Sequence, residues 1–179
     1  GALIVPDEAA KKQTLFYATQ AREPFPYYQH EHIGYNYRMS NICAGIGCGQ
    51  MTVLEKHIAH HRHVHALYEQ AFADIEGITL KSNPAKEFDA NYWLCTILID
   101  PVVTGFDYEE LRVALDAKGI ETRPLWKPMH LQPVFAHNPC YIDGTAEKLF
   151  NKGLCIPAGP FVTDEDVAYI VNEIRKQLR

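Results

Sequence analysis

Ile33-Gly34-Tyr35-Asn36-Tyr37-Arg38-Met39-Ser40-Asn41 is the stretch on which the reading of this chain turns. Aromatics, prolines and histidines precede it, and the longest helical pattern in the sequence follows. Ser40 has the short side-chain oxygen of an N-cap. The stretch therefore reads as a polar loop delivered by the start of a helix, a usual way to present N–H donors to an anion. From Ser40 the pattern predicts one helix to about Glu76. Its second half carries an apolar stripe at Val64, Leu67, Tyr68, Ala71, Phe72 and Ile75. Its first half contains Gly45, Gly47 and Gly49. Each interior glycine costs about 1 kcal/mol against alanine. Three so close together predict close approach by another backbone, from a neighbouring helix or a partner subunit. They form no GxGxxG and follow no strand, which rules out a dinucleotide loop.

Five of the nine histidines fall on the same pattern: His57, His60, His61, His63 and His65. The four-residue spacing of His57, His61 and His65 could grip a divalent ion. There is no HExxH and no evident third ligand, so the expectation is a solvated helix face and no metal site.

Before the opening stretch, residues 1–5 read as a strand closed by the turn Pro6-Asp7. Asp7 or Glu8 then starts a helix to about Ala21. Two prolines one residue apart, Pro24 and Pro26, forbid regular helix in the segment Arg22 to His30. That segment is aromatic and polar at once. It suits a binding loop, and equally a surface loop with partly buried rings.

After Gly77 the chain alternates strand and helix. Strands are expected at Ile78–Leu80, Tyr92–Ile99, Ile120–Arg123 and Leu154–Ile156. Asp107 with Glu110 has capping-box spacing, and that helix ends at Lys118-Gly119. A short helix covers Ala146 to Lys152. Thr163 with Asp166 caps the last one, whose apolar face is Val167, Ile170, Val171, Ile174 and Leu178. The fold class is α/β, or an α+β small domain: a small sheet with flanking helices, joined to what precedes it by a long linking helix.

Composition narrows the function classes. The 179 residues suffice for one sizeable domain or one and a half small ones. Apolar residues make up 47% and charged residues 22%, as in soluble globular proteins. A net charge of −5 argues against sequence-independent nucleic-acid binding. No apolar run reaches the roughly 18 residues of a membrane span. The five cysteines are odd in number and form no CxxC pair, so they read as the reduced thiols of a cytoplasmic protein.

No GxSxG, Walker loop or cysteine nucleophile with a positioned base is present. Two loops remain as candidate sites, Tyr27 to Arg38 and Arg123 to Gln132. Both combine a guanidinium, amide or imidazole donors, and aromatic rings. Arginine takes phosphate or carboxylate in a forked pair, and aromatics cover the face of a ring or sugar. Arg38 could equally form a salt bridge at the helix start, and His130 could be a capped core or surface histidine.

Thr19-Gln20-Ala21-Arg22-Glu23, then Gly34 to Asn41 leading into Ala44-Gly45-Ile46-Gly47 and Gln50, resembles the DegT/DnrJ/StrS family of sugar-nucleotide aminotransferases. So do Arg123-Pro124-Leu125-Trp126-Lys127-Pro128-Met129-His130, and Leu154-Cys155-Ile156-Pro157 followed by Thr163-Asp164-Glu165-Asp166. The motifs are long, lie in the family's order and cover the whole chain. The resemblance implies fold type I of the pyridoxal-phosphate (PLP) enzymes, with the site at a homodimer interface. It implies that residues 1–41 belong to the large PLP-binding domain, 42–77 to a connecting helix and 78–179 to the small C-terminal domain. Asn36 and Arg38 then match a segment that reaches the cofactor phosphate of the neighbouring subunit. Trp126, His130, Arg123 and Tyr28 match the sugar-nucleotide side. Glutamate usually donates the amino group to a 3-keto or 4-keto sugar, and the Arg22 to Tyr28 loop resembles members acting on UDP-linked 4-keto-6-deoxy amino sugars.

The family's Schiff-base lysine lies upstream of the position matching Gly1. Lys11, Lys12 and Lys127 lack its sequence context, so no catalytic residue is assigned. The chain opens mid-strand without Met and reads as the C-terminal part of an aminotransferase, inactive and unable to hold PLP covalently alone. It should associate as a dimer, with segments exchanged. The alternatives are an independent, non-catalytic α/β binding or dimerisation module and a PLP-dependent sugar dehydratase of the same family.

Overall fold

Short polar side chains set where four of the helices begin. In the computed structural model, which describes residues 2–178, Asp7 caps α1 (Glu8–Ala18) by accepting from the Ala10 amide at 2.8 Å. Ser40 caps α2 (Asn41–Met51) through Cys43 N–H at 3.2 Å. Asp107 with Glu110 and Thr163 with Asp166 form complete capping boxes at α5 (Tyr108–Asp116) and α7 (Asp164–Arg175). Each satisfies amides that the helix cannot pair internally.

The chain divides into two units, one ending at Val53 and the other beginning at Leu54. In the first, the loop between α1 and α2 is tied to the end of α1. Gln20 N–H donates to Tyr35 O at 3.1 Å, Tyr35 N–H to Tyr17 O at 2.9 Å, and Tyr37 N–H to Ala18 O at 3.0 Å. Gln20 and Ala21 both take the left-handed conformation, with φ of 71° and 50°. Non-glycine residues adopt it at a cost, so the surrounding contacts must hold it. Ala21 is wholly buried there. No strand forms over residues 2–5, and Gly1 lies outside the described residues. Backbone in the extended form becomes a strand only by pairing, and these residues pair with nothing described; Ile4 stays 93% exposed.

The second unit holds α3 (Leu54–Phe72), β1 (Ile78–Leu80), β2 (Cys95–Ile99), α4 (Pro101–Thr104), α5, β3 (Arg123–Pro124), α6 (Thr145–Phe150), β4 (Gly153–Ile156) and α7. Its sheet is antiparallel throughout, in the order β1-β2-β4-β3. Ile78 pairs with Ile99, Cys95 with Ile156, and Ile97 with Leu154, which puts these side chains on one face. That face is buried with Val64, Tyr68 and Phe72 of α3, Leu111 and Leu115 of α5, and Val167, Ile170 and Ile174 of α7. Tyr68 is fully buried and its hydroxyl donates to Pro157 O at 2.9 Å, so its polar end is satisfied.

The single helix expected from Ser40 to Glu76 is two helices. At the break, Thr52 donates to Gly49 O from both its hydroxyl, at 2.8 Å, and its amide, at 3.2 Å, and Val53 N–H donates to Gln50 O at 3.2 Å. These are three-residue bonds, and they tighten the helix out of register. Three glycines followed by two β-branched residues give the α-form little to resist with. The histidine face is also not the solvated one expected. Only His63 is exposed; His57, His60 and His61 are half-buried and His65 is buried. The face turns toward partners: His60 Nε2 donates to Val162 O at 2.9 Å, and His65 stacks on Tyr92 with ring centroids 3.7 Å apart. Burial, with His60 and His57 nearby, lowers the pKa of His61. Among the described residues no three His, Cys, Asp or Glu side chains are grouped to hold a metal ion.

Candidate functional site

Each unit carries one of the two loops singled out in the sequence. In the first, Asn36 is bridged in antiparallel fashion to Thr19, which fixes its backbone against the end of α1. Its side chain, like that of Arg38, stands exposed and makes no hydrogen bond or ion pair among the described residues. Tyr28 is 77% exposed and lies under the Arg22 guanidinium, 4.1 Å from the ring centroid. This cation–π contact orients the ring. His30 Nδ1 lies 3.0 Å from Gln20 O and braces the same turn. The loop is thus a fixed backbone bearing an uncommitted amide and guanidinium. Those donors fit what a phosphate requires, so a PLP phosphate is compatible with the residues present.

In the second unit, Arg123 lies on the edge strand β3 and is ion-paired to Glu121. Trp126 follows in the loop, 69% exposed. His130 sits in the 3₁₀ turn Met129–Leu131, and Gln132 Nε2 donates back to Lys127 O at 3.3 Å. The His130 side chain is only 16% exposed, and its Nε2 lies 2.8 Å from Glu147 Oε1 at the start of α6. It lines two adjoining clefts. One, of about 410 Å³, is shared with Tyr141, Asp143, Gly144 and Ala146; the other, of about 350 Å³, with Met129, Phe135, Cys140 and Ile142. A carboxylate beside an imidazole holds the ring in one orientation and selects its tautomer. Neither reading of His130 from the sequence, as a substrate contact or as a capped core or surface histidine, foresaw this partner. Glu147 stands seventeen positions away on another element, and nothing in its local sequence marks it.

A larger cleft of about 540 Å³ lies at the end of the sheet, lined by Trp93, Arg123, Cys155, Gly159 and Tyr169 among others. Thr122, also in its lining, is buried, and its hydroxyl has no hydrogen-bond partner among the described residues. The buried cysteines are not nucleophiles in waiting. Burial, with Cys155 beside it, pushes the Cys95 thiol up to about 12, and burial raises that of Cys155. A thiol held protonated is inert.

Residues 1–175 match the model of the DegT/DnrJ/EryC1/StrS aminotransferase family. The chain belongs to this family. It is 36% identical over 175 residues to EpsN of Bacillus subtilis (strain 168), named a pyridoxal phosphate-dependent aminotransferase. That alignment covers 96% of this chain and 44% of the relative. It is 31% identical to the GDP-perosamine synthase of Escherichia coli O157:H7, over 98% of this chain and 46% of that protein. The chain therefore spans less than half the length of the curated relatives it matches. Among solved structures, Helicobacter pylori PseC, an aminotransferase involved in the biosynthesis of pseudoaminic acid, superposes with a TM-score of 0.80 at 18% identity, over 96% of this chain and 47% of that one. The aminotransferase TlmJ from Streptoalloteichus hindustanus gives 0.82 at 19%, over 96% and 45%. At such identities the agreement is one of fold: the four-stranded antiparallel sheet with its helices is the C-terminal architecture of these aminotransferases. Among the described residues no helix is long and apolar enough to cross a membrane.

Proposed function

We propose that this chain is the substrate-side part of a PLP-dependent aminotransferase that moves an amino group from glutamate to a keto-sugar nucleotide, a UDP-linked 4-keto-6-deoxy sugar, for glycan biosynthesis. The observation that carries the proposal is the family match across residues 1–175. The name of EpsN supports the PLP-dependent aminotransferase reading, and that of the GDP-perosamine synthase a nucleotide-linked sugar; the UDP assignment rests on the likeness of the Arg22 to Tyr28 loop alone. The enzyme works as a homodimer in the cytoplasm. Residues 1–41 complete its large domain, 42–77 connect, and 78–179 form its small domain. Asn36 and Arg38 hold the cofactor phosphate of the partner subunit. Their loop is braced while their side chains make no hydrogen bond or ion pair among the described residues, which is the preorganisation an anion site needs. When bound, PLP carries the amino group from one substrate to the other. The Schiff-base lysine belongs to a segment outside these residues. Trp126 and Tyr28 offer ring faces to the sugar nucleotide, Arg123 a charge to its phosphates, and His130 a hydrogen bond to the sugar.

The test is transamination by the enzyme that carries this chain. It is given PLP, glutamate and, in turn, UDP-, TDP- and GDP-linked 4-keto-6-deoxy sugars, with release of 2-oxoglutarate as the readout. Turnover is expected with the UDP sugar. Turnover with only the GDP or TDP sugar would refute the nucleotide assignment, and none with any would refute the function. Arg38→Ala should weaken PLP retention by about tenfold, the loss of one charge-assisted hydrogen bond. The 179 residues alone, mixed with PLP and glutamate, should release no 2-oxoglutarate.

A further inference from the structure

The geometry points to Glu147 as a positioning residue that makes His130 a hydrogen-bond acceptor for a sugar hydroxyl. This rests on the reading of the Arg123–Gln132 loop as the sugar side of the site. His130 Nε2 is 2.8 Å from Glu147 Oε1. A carboxylate oxygen only accepts, so Nε2 carries the proton and donates. In the neutral ring this leaves the lone pair on Nδ1. No hydrogen bond to Nδ1 forms among the described residues, and the ring lines both clefts. The group that meets Nδ1 must then be a donor. A sugar hydroxyl is one, and an ionised phosphate is not.

The surroundings single out Glu147 for this task. Asp143 lines the same cleft, but its carboxylate accepts from Thr145 N–H at 2.9 Å and is committed to the turn that starts α6. That bond and the Thr145 hydroxyl hold it below the usual aspartate range. Lys148 beside Glu147 forms no ion pair among the described residues, so no cation competes for the carboxylate. With its side chain 16% exposed, the His130 ring also has little room to turn if the carboxylate holds one edge. Glu147 sits in the first turn of α6, on a different element from the 3₁₀ turn that carries His130, so the contact holds the two elements together.

The test compares Glu147→Ala, Glu147→Gln and His130→Ala in the assembled holoenzyme, with two unreactive probes, UDP-N-acetylglucosamine and UDP. Binding of UDP-N-acetylglucosamine should fall about tenfold in Glu147→Ala, one hydrogen bond's worth of positioning. UDP binding should not change. Glu147→Gln keeps an acceptor oxygen and should restore most of the affinity. In parallel, ¹⁵N-histidine NMR of the 179-residue chain should show His130 in the Nε2–H form in the wild type and a mixture of tautomers in Glu147→Ala, a change that a merely structural role would not produce. An effect of His130→Ala with none from Glu147→Ala overturns the positioning role and leaves the sugar-side reading standing. Silence of His130→Ala overturns both. An equal fall in UDP binding places the contact on phosphate and overturns the hydroxyl assignment.

Discussion

Gly34 has no room for a side chain. A Cβ there would lie 2.4 Å from Ala21 N and 2.5 Å from Gln20 C, both backbone atoms that cannot swing aside. Those two residues already hold left-handed φ angles, so the turn has no slack to absorb the clash. Gly34→Ala should destabilise the first unit by about 1–3 kcal/mol, the usual cost of overpacking. Hydrogen exchange should show it locally: the Gln20, Tyr35 and Tyr37 amides, which clasp the loop to α1, lose protection first. Retained protection at those amides would show that the clasp does not depend on this close approach. The consequence reaches the candidate site, since Asn36 and Arg38 ride on the same loop. At this scale the sequence displayed the glycine and the donors, but not the reason for the glycine. The atoms it must avoid belong to a turn thirteen residues earlier.

At the scale of elements, α7 shows how a local motif becomes a packing element. Thr163 and Asp166 cap each other: Asp166 N–H donates to Thr163 Oγ1 at 3.1 Å, and Thr163 N–H to Asp166 Oδ2 at 2.9 Å. The helix so started buries Val167, Ile170, Val171 and Ile174 against the sheet. Thr163→Ala should cost about 1 kcal/mol at neutral pH, read by denaturant unfolding. The backbone bond from Thr163, then its hydroxyl, lowers the pKa of Asp166 below that of a free aspartate. A depressed carboxylate contributes stability above its unfolded pKa, about 3.9, and loses it as pH falls through the folded value. The stability gap between wild type and Asp166→Asn should therefore be full at neutral pH and close only below about pH 4. A gap that widened on acidification would contradict this sign. The two capping boxes, three of the four strands of the second unit and the α7 face were legible in the sequence, because each is written within four residues or at a fixed period; the strand expected at Ile120–Arg123 instead forms at Arg123–Pro124, where pairing with Cys155 and Leu154 decides it. Element ends were not. β2 begins at Cys95 rather than Tyr92, since Tyr92 takes φ of 50° to stack on His65, a partner twenty-seven positions earlier.

Across the whole molecule, the first unit carries more apolar surface than a free-standing unit would. α2 is rich in apolar residues yet has none buried; Ile42 is 78% exposed, Ile46 62% and Met51 68%. A Cβ on Gly45, Gly47 or Gly49 would meet nothing within 4 Å. Within the first unit, among the described residues, the close backbone approach expected at these glycines is not made, and the face is left for another surface. An apolar patch of this kind favours association. Sedimentation of the 179-residue chain should show a dimer or larger species, and Ile46→Glu should shift it toward monomer. A monomeric wild type with ordered residues in the first unit would contradict it.

By itself the sequence determined the family, the strand and helix content of the second unit, and which two loops carry the polar and aromatic side chains. Those properties depend on residue types at short or fixed spacing, which a linear chain displays. Only the tertiary structure decided the antiparallel order β1-β2-β4-β3, the break between α2 and α3, the burial of the histidine face and the pairing of His130 with Glu147. Each of these depends on partners brought together by folding, and the separation of those partners along the chain leaves no local trace.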